Sequence, residues 1–163
     1  MDYSKMPMRV EELPATTLVG RSLSVTLMED RIRELWQYFA ANKKHIPHVV
    51  GNFSYAVEEY PALNFFKEIN PSRPFTRWAA VEVAKVEKLS HGLRQLDIPA
   101  GKYAVFSFQG THREASEAFR YIYQTWLKES SYQLAARPHF AKMTENYEPS
   151  DPQAEEEFWI PVQ

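Results

Sequence analysis

One pattern limits the possible folds of this chain more than any other: a strand, a helix and two further strands, written twice. In the second copy the stretch from Leu96 to Gly110 reads as the leading strand. Proline is tolerated where no ladder N–H is needed, so Ile98 to Ala100, with Pro99 at its centre, is predicted to open it. Tyr103 to Phe108 then supplies the aromatic and β-branched residues that suit a pleated, half-buried surface. Gly110 interrupts the run, and Thr111 with Glu114 has capping-box spacing for a helix. That helix carries Ala118, Ile122 and Trp126 on one face. His139 to Tyr147 and Glu156 to Val162 follow as two strands.

The first copy repeats the plan. Leu13, Pro14 and Ala15 mirror Ile98, Pro99 and Ala100. From Leu18 to Leu27, Leu23, Val25 and Leu27 alternate with Ser22, Ser24 and Thr26, the period of a strand with one dry face. Glu29 and Asp30 put acid where a helix dipole favours it, and Ile32, Leu35, Trp36 and Phe39 face inward on a helix running to about Asn42. Phe53 to Tyr60 and Phe75 to Val83 are the next two strands. Pairing ahead of the first strand is expected around Met8 to Val10. The charged link Lys85 to Leu93 is too short to divide independent domains. The repeat covers about residues 8–84 and 94–163 of a single α+β domain, and 163 residues suffice for a sizeable core.

Charge narrows the function classes. The formal net charge is -2 with a pI near 6.2, and no Lys/Arg stripe is present, which argues against direct nucleic-acid binding. Cysteine is absent, and no zinc-binding spacing occurs. His45 and His48 flank Pro47, which prevents a regular helical face, so they read as loop histidines with no metal role. No signal peptide or membrane-length apolar run is found, and a cytoplasmic protein without metal or cofactor is expected.

Ten Phe, nine Tyr and four Trp are a high aromatic count; some belong to the core, and aromatic side chains also line concave ligand sites. On the third strand, Ala79, Val81 and Val83 look like core. Trp78, Ala80 and Glu82 share the other face, as a pocket wall would need. On the last strand Phe158 and Ile160 oppose Glu157 and Trp159. Alternation therefore nominates Tyr55, Trp78, Glu82, His139, Ala141, Met143, Glu157 and Trp159 as ligand-binding residues. Trp36 is a further candidate, although its apolar helix face favours a core role.

These segments resemble the GyrI-like small-molecule-binding family, the effector-binding domain of AraC- and MerR-type regulators. The resemblance rests on Ile98 to Phe106, the helix Ala118 to Leu127, Arg137 to Phe140, and Phe158 to Val162. It covers nearly the whole chain, with Phe75 to Val83 the best match in the first half. It implies modules related by a pseudo-twofold axis, antiparallel sheets with helices on one side, and a ligand groove between the halves. With no room for a helix-turn-helix, the chain looks like a stand-alone member, expected as a monomer or weak homodimer. Members of the family capture planar or amphipathic aromatic ligands, including cationic drugs. One subfamily hydrolyses the cyclopropane of DNA-alkylating natural products, in which case Glu82 or Glu157 would activate water. Drug-binding relatives carry Phe-Glu-x-Tyr after Arg-Pro, whereas here Ala141 and Met143 stand at the Glu and Tyr positions. A less cationic ligand, compensation by Glu82 or Glu157, and an engineered replacement at 141 are the three explanations.

Overall fold

Alternation along the strands leaves two apolar faces, and each acquires a different cover. The computed structural model describes residues 1–144 and 147–163. In chain order the elements are β1 (Met8–Leu13), β2 (Thr16–Val25), α1 (Ile32–Asn42), β3 (Phe53–Glu59), β4 (Phe75–Glu82), β5 (Arg94–Ile98), β6 (Gly101–Gln109), α2 (His112–Tyr121), β7 (His139–Thr144) and β8 (Glu155–Pro161). Helix α2 runs on through a π-helical segment, Ile122–Trp126, and a last turn, Leu127–Glu129. The fold is α+β, as expected. The strands form one antiparallel sheet in the order β1-β6-β8-β7-β3-β4-β2-β5, joined across the two copies by β3 and β7.

The prolines mark links rather than strand starts. Pro14 with Ala15, and Pro99 with Ala100, lie between β1 and β2 and between β5 and β6. A flat sheet would put β1 and β2 six strand steps apart, ~29 Å at the usual spacing. The link between Leu13 and Thr16 spans at most ~11 Å. The sheet therefore rolls until its edges approach, and the same holds for β5 and β6. Each copy also lends its opening strand to the other: β1 pairs with β6, and β5 with β2. Other boundaries shift slightly. Strand β2 ends at Val25, where Thr26 turns back to pair with Glu29. Strand β7 is described to Thr144, so the expected extension to Tyr147 crosses positions 145–146, which lie outside the described residues.

The convex face is covered by helices. Leu35 and Phe39 of α1 pack on Val19, Ala79 and Val81, while Ala115, Ala118 and Ile122 pack on Ala104, Phe106, Phe158 and Ile160. The predicted capping box is present: Thr111 Oγ1 accepts from the Glu114 N–H at 3.3 Å, and Glu114 accepts from the Thr111 N–H at 3.1 Å. Gly20 allows β2 and β4 to approach closely, since a Cβ there would lie 2.0 Å from Ala79 O. The concave face buries Leu18, Tyr55, Val57, Trp78, Tyr103, Val105, Phe140 and Trp159 in a second core to which no described helix contributes. No described helix is long and apolar enough to cross a membrane.

Candidate functional site

Cross-strand register assembles the concave face row by row. Trp78, Val57, Phe140, Trp159 and Val105 lie opposite one another across five neighbouring strands. Trp78 and Trp159 are thus three strands apart, ~14 Å. The next row holds Ala80, Tyr55, Lys142, Glu157 and Ser107. Glu82 lies one step further along β4, opposite Leu18.

Five of the residues nominated from sequence therefore share this face: Tyr55, Trp78, Glu82, Glu157 and Trp159. Their polar atoms are engaged. The Tyr55 hydroxyl donates to Glu82 Oε1 at 3.3 Å, and burial together with Glu82 pushes its phenol far up, so it remains a protonated donor. Trp159 Nε1 donates to Glu157 Oε1 at 3.1 Å, and Arg9 Nη2 donates to Glu157 Oε2 at 2.8 Å. Trp78 Nε1 donates to Glu59 at 2.8 Å. The aromatic floor is packed: Phe140 stacks on Trp159 with centroids 5.2 Å apart and planes at 15°, and Trp78 and Trp159 are only 5% and 4% exposed. Beside the floor a groove of about 640 Å³ opens, lined by Phe53, Lys142, Ser107, Thr144 and Glu157 and walled on one side by the N-terminal segment Met1–Pro7.

His139, Ala141 and Met143 belong elsewhere, which corrects the parity expected along β7. Register puts Ala141 opposite Ala56 and Phe158, and Met143 opposite Glu156, so all three face the helices while Phe140 and Lys142 face the groove. Two apolar faces, one under helices and one under the rolled sheet itself, leave alternation without a sign for which is which. Trp36 is also on the helix side, edge-on to Phe39 at 5.8 Å and packed on the α1 cluster. His139 is buried, its Nδ1 paired with the Tyr123 hydroxyl at 2.5 Å, and burial lowers its pKa to about 3. It lines a smaller cavity of about 170 Å³ with Tyr60, Phe66 and Arg137. Nearby, Glu58 pairs with Arg77 at 3.1 Å, yet burial outweighs the guanidinium and pushes its carboxyl up to about 7.

Phe53, Lys142, Arg9 and Phe140 were not nominated from sequence. Arg9 reaches Glu157 only because β1 is lent to the other copy, and a separation of 148 residues carries no local signal. Phe140 and Lys142 were within reach of the β7 alternation, had its phase been known.

Comparisons with known proteins agree with this architecture. Over 163 residues the sequence is 28% identical to the transcriptional regulator BrlR of Pseudomonas aeruginosa, covering 96% of this chain and 56% of that protein. The chain thus spans little more than half the length of that curated relative. An integron cassette protein of Vibrio cholerae, VCH_CASS2, has the same fold with a TM-score of 0.69 at 17% identity, covering 96% of this chain and 95% of the other. The structure of SAV2435 bound to tetraphenylphosphonium aligns with a TM-score of 0.64 at 18% identity, over 97% and 94% of the two chains. The GyrI-like small molecule binding domain matches residues 6–163, and the chain belongs to that family.

Proposed function

We propose that the concave face captures planar or amphipathic aromatic small molecules, which enter through the groove beside Lys142 and Glu157 and stack against the Tyr55–Trp159 side of the floor. The observation that carries this reading is a groove of about 640 Å³ whose wall residues Lys142, Ser107 and Glu157 lie on the same strands as the buried aromatic row, one row along from it. That volume lies within the range of small-molecule sites. Family membership supports it, as does a neighbour of the same fold with a bound aromatic ion. In this reading the chain works in the cytoplasm as a monomer or weak homodimer, and its net charge of -2 gives it no electrostatic hold on nucleic acid.

Titration of the protein with a panel of planar aromatic dyes, followed by tryptophan fluorescence, tests the reading. Trp159→Phe keeps an apolar ring in the floor. It is expected to weaken binding by a few-fold to about tenfold and to remove most of the ligand-induced quenching. Unchanged affinity and unchanged quenching for every dye would remove the floor from the site. If mass spectrometry detected ring-opened product from a cyclopropane-bearing aromatic ligand, the assignment would move to hydrolysis with Glu82 or Glu157 as base.

A further inference from the structure

Three of the aromatic rings nominated for ligand stacking already carry a cation from the chain itself. The Arg9 guanidinium carbon is 5.9 Å from the Trp159 ring centre, and that of Arg94 is 6.0 Å from Trp78. The ammonium of Lys142 lies 4.3 Å from the Phe53 ring centre and 5.9 Å from that of Tyr55. These are distances at which a ring quadrupole attracts a positive charge. Arg9 is tied to Glu11 and Glu157 as well. Lys142 differs. Among the described residues no carboxylate lies within salt-bridge distance of its amine, and the side chain is half-buried on the groove wall. Its sheet neighbour Glu157 is turned to Arg9 and to the Trp159 indole instead.

We infer that Lys142 is a built-in cation that sets the charge class of the ligand: the groove takes planar aromatic molecules carrying an anionic group and rejects aromatic cations. The inference rests on the capture reading above and adds its specificity. A cationic ligand would have to displace the ammonium from Phe53 and Tyr55 and would then sit beside it, with like-charge repulsion in a partly desolvated site. An anionic ligand leaves both ring contacts in place and supplies the counter-charge that no described residue gives Lys142. Asp2 and Glu155 are acids at the exposed rim of the same groove and face water beside Lys5, Glu157 is held by Arg9, and burial raises the Glu156 carboxyl to about 7, so together they oppose an anion only weakly.

Two probe ions of the same shape and opposite charge isolate this effect: tetraphenylborate and tetraphenylphosphonium, titrated calorimetrically into wild type, Lys142→Met and Lys142→Arg. The wild type is expected to bind the borate at least about tenfold more tightly than the phosphonium. Lys142→Met, which keeps an unbranched apolar stem and loses the charge, is expected to erase or reverse that ratio, and Lys142→Arg to retain it. A wild type that prefers the phosphonium, or a Met variant with an unchanged ratio, overturns the inference while leaving capture intact. Binding of neither ion by any of the three proteins overturns capture itself, and the charge selection with it.

Discussion

Glu156 provides a test of the fold that does not depend on the ligand. Its side chain lies on the helix face of β8, between Phe108 of β6 and Met143 of β7, and is 8% exposed. Burial raises its pKa from 4.5 to about 7 even though the Tyr147 hydroxyl donates to it at 3.3 Å. A carboxyl with a raised native pKa binds its proton more tightly folded than unfolded. Stability is therefore present in full at low pH and is lost as pH rises between about 4.5 and 7. At 1.36 kcal/mol per unit, a rise of roughly 2.5 units corresponds to about 3 kcal/mol at most. Glu58 acts with the same sign and in the same window. His139, held near 3, acts oppositely, costing stability as pH falls below its unfolded value of 6.5. The His139 contribution is common to wild type and Glu156→Gln and cancels in their difference, whereas that of Glu58, whose charge helps raise Glu156, cancels only in part. Urea unfolding of the two proteins at about pH 5, 6, 7 and 8 reads that difference directly. Glu156→Gln is expected to gain on wild type by up to about 3 kcal/mol between the lowest and highest pH. A flat difference curve, or one in which the variant loses ground as pH rises, would refute the burial of this carboxyl between β6 and β7.

Three further substitutions test particular contacts. Ala141→Glu, the change that would restore the family carboxylate, places its charge against the α2 cluster and not in the groove; it is expected to cost about 3 kcal/mol in thermal or urea unfolding and to leave tetraphenylphosphonium binding no tighter. Gly20→Ala forces a methyl group to 2.0 Å from the Ala79 carbonyl oxygen, and separating β2 from β4 there is expected to lower stability by about 3 kcal/mol or prevent folding, as followed by circular dichroism. Thr111→Ala removes the α2 cap, with an expected loss of about 1 kcal/mol in urea unfolding and no change in dye binding.

Much of the fold was legible in the sequence because its signals are local. The Thr111–Glu114 box, the α1 and α2 apolar faces and the period-two runs of β2 and β4 each specify an element within a few residues. The twofold repeat then followed from reading those elements twice. Pairing was another matter. Nothing in the sequence near β1 indicates that it joins β6, so Arg9 could not be associated with Glu157 or Trp159. The phase of β7 failed for a related reason. His139, Ala141 and Met143 look as suitable for a pocket wall as Phe140 and Lys142 until Trp159 is known to lie opposite Phe140. On β4 the phase was readable, because Ala79, Val81 and Val83 form a uniform aliphatic face against α1 and leave Trp78 and Glu82 to the other side.

The exchange of opening strands has a consequence for cutting the chain in two. A break in the link that follows β4 would leave an N-terminal fragment holding β1 without β6, β2 without β5 and β3 without β7, and a C-terminal fragment with the reciprocal deficits. Each fragment would expose three unpaired strand borders that fit only the other piece. Co-expressed halves should therefore reassemble into a nicked whole, while either alone should aggregate, a behaviour suited to a split reporter.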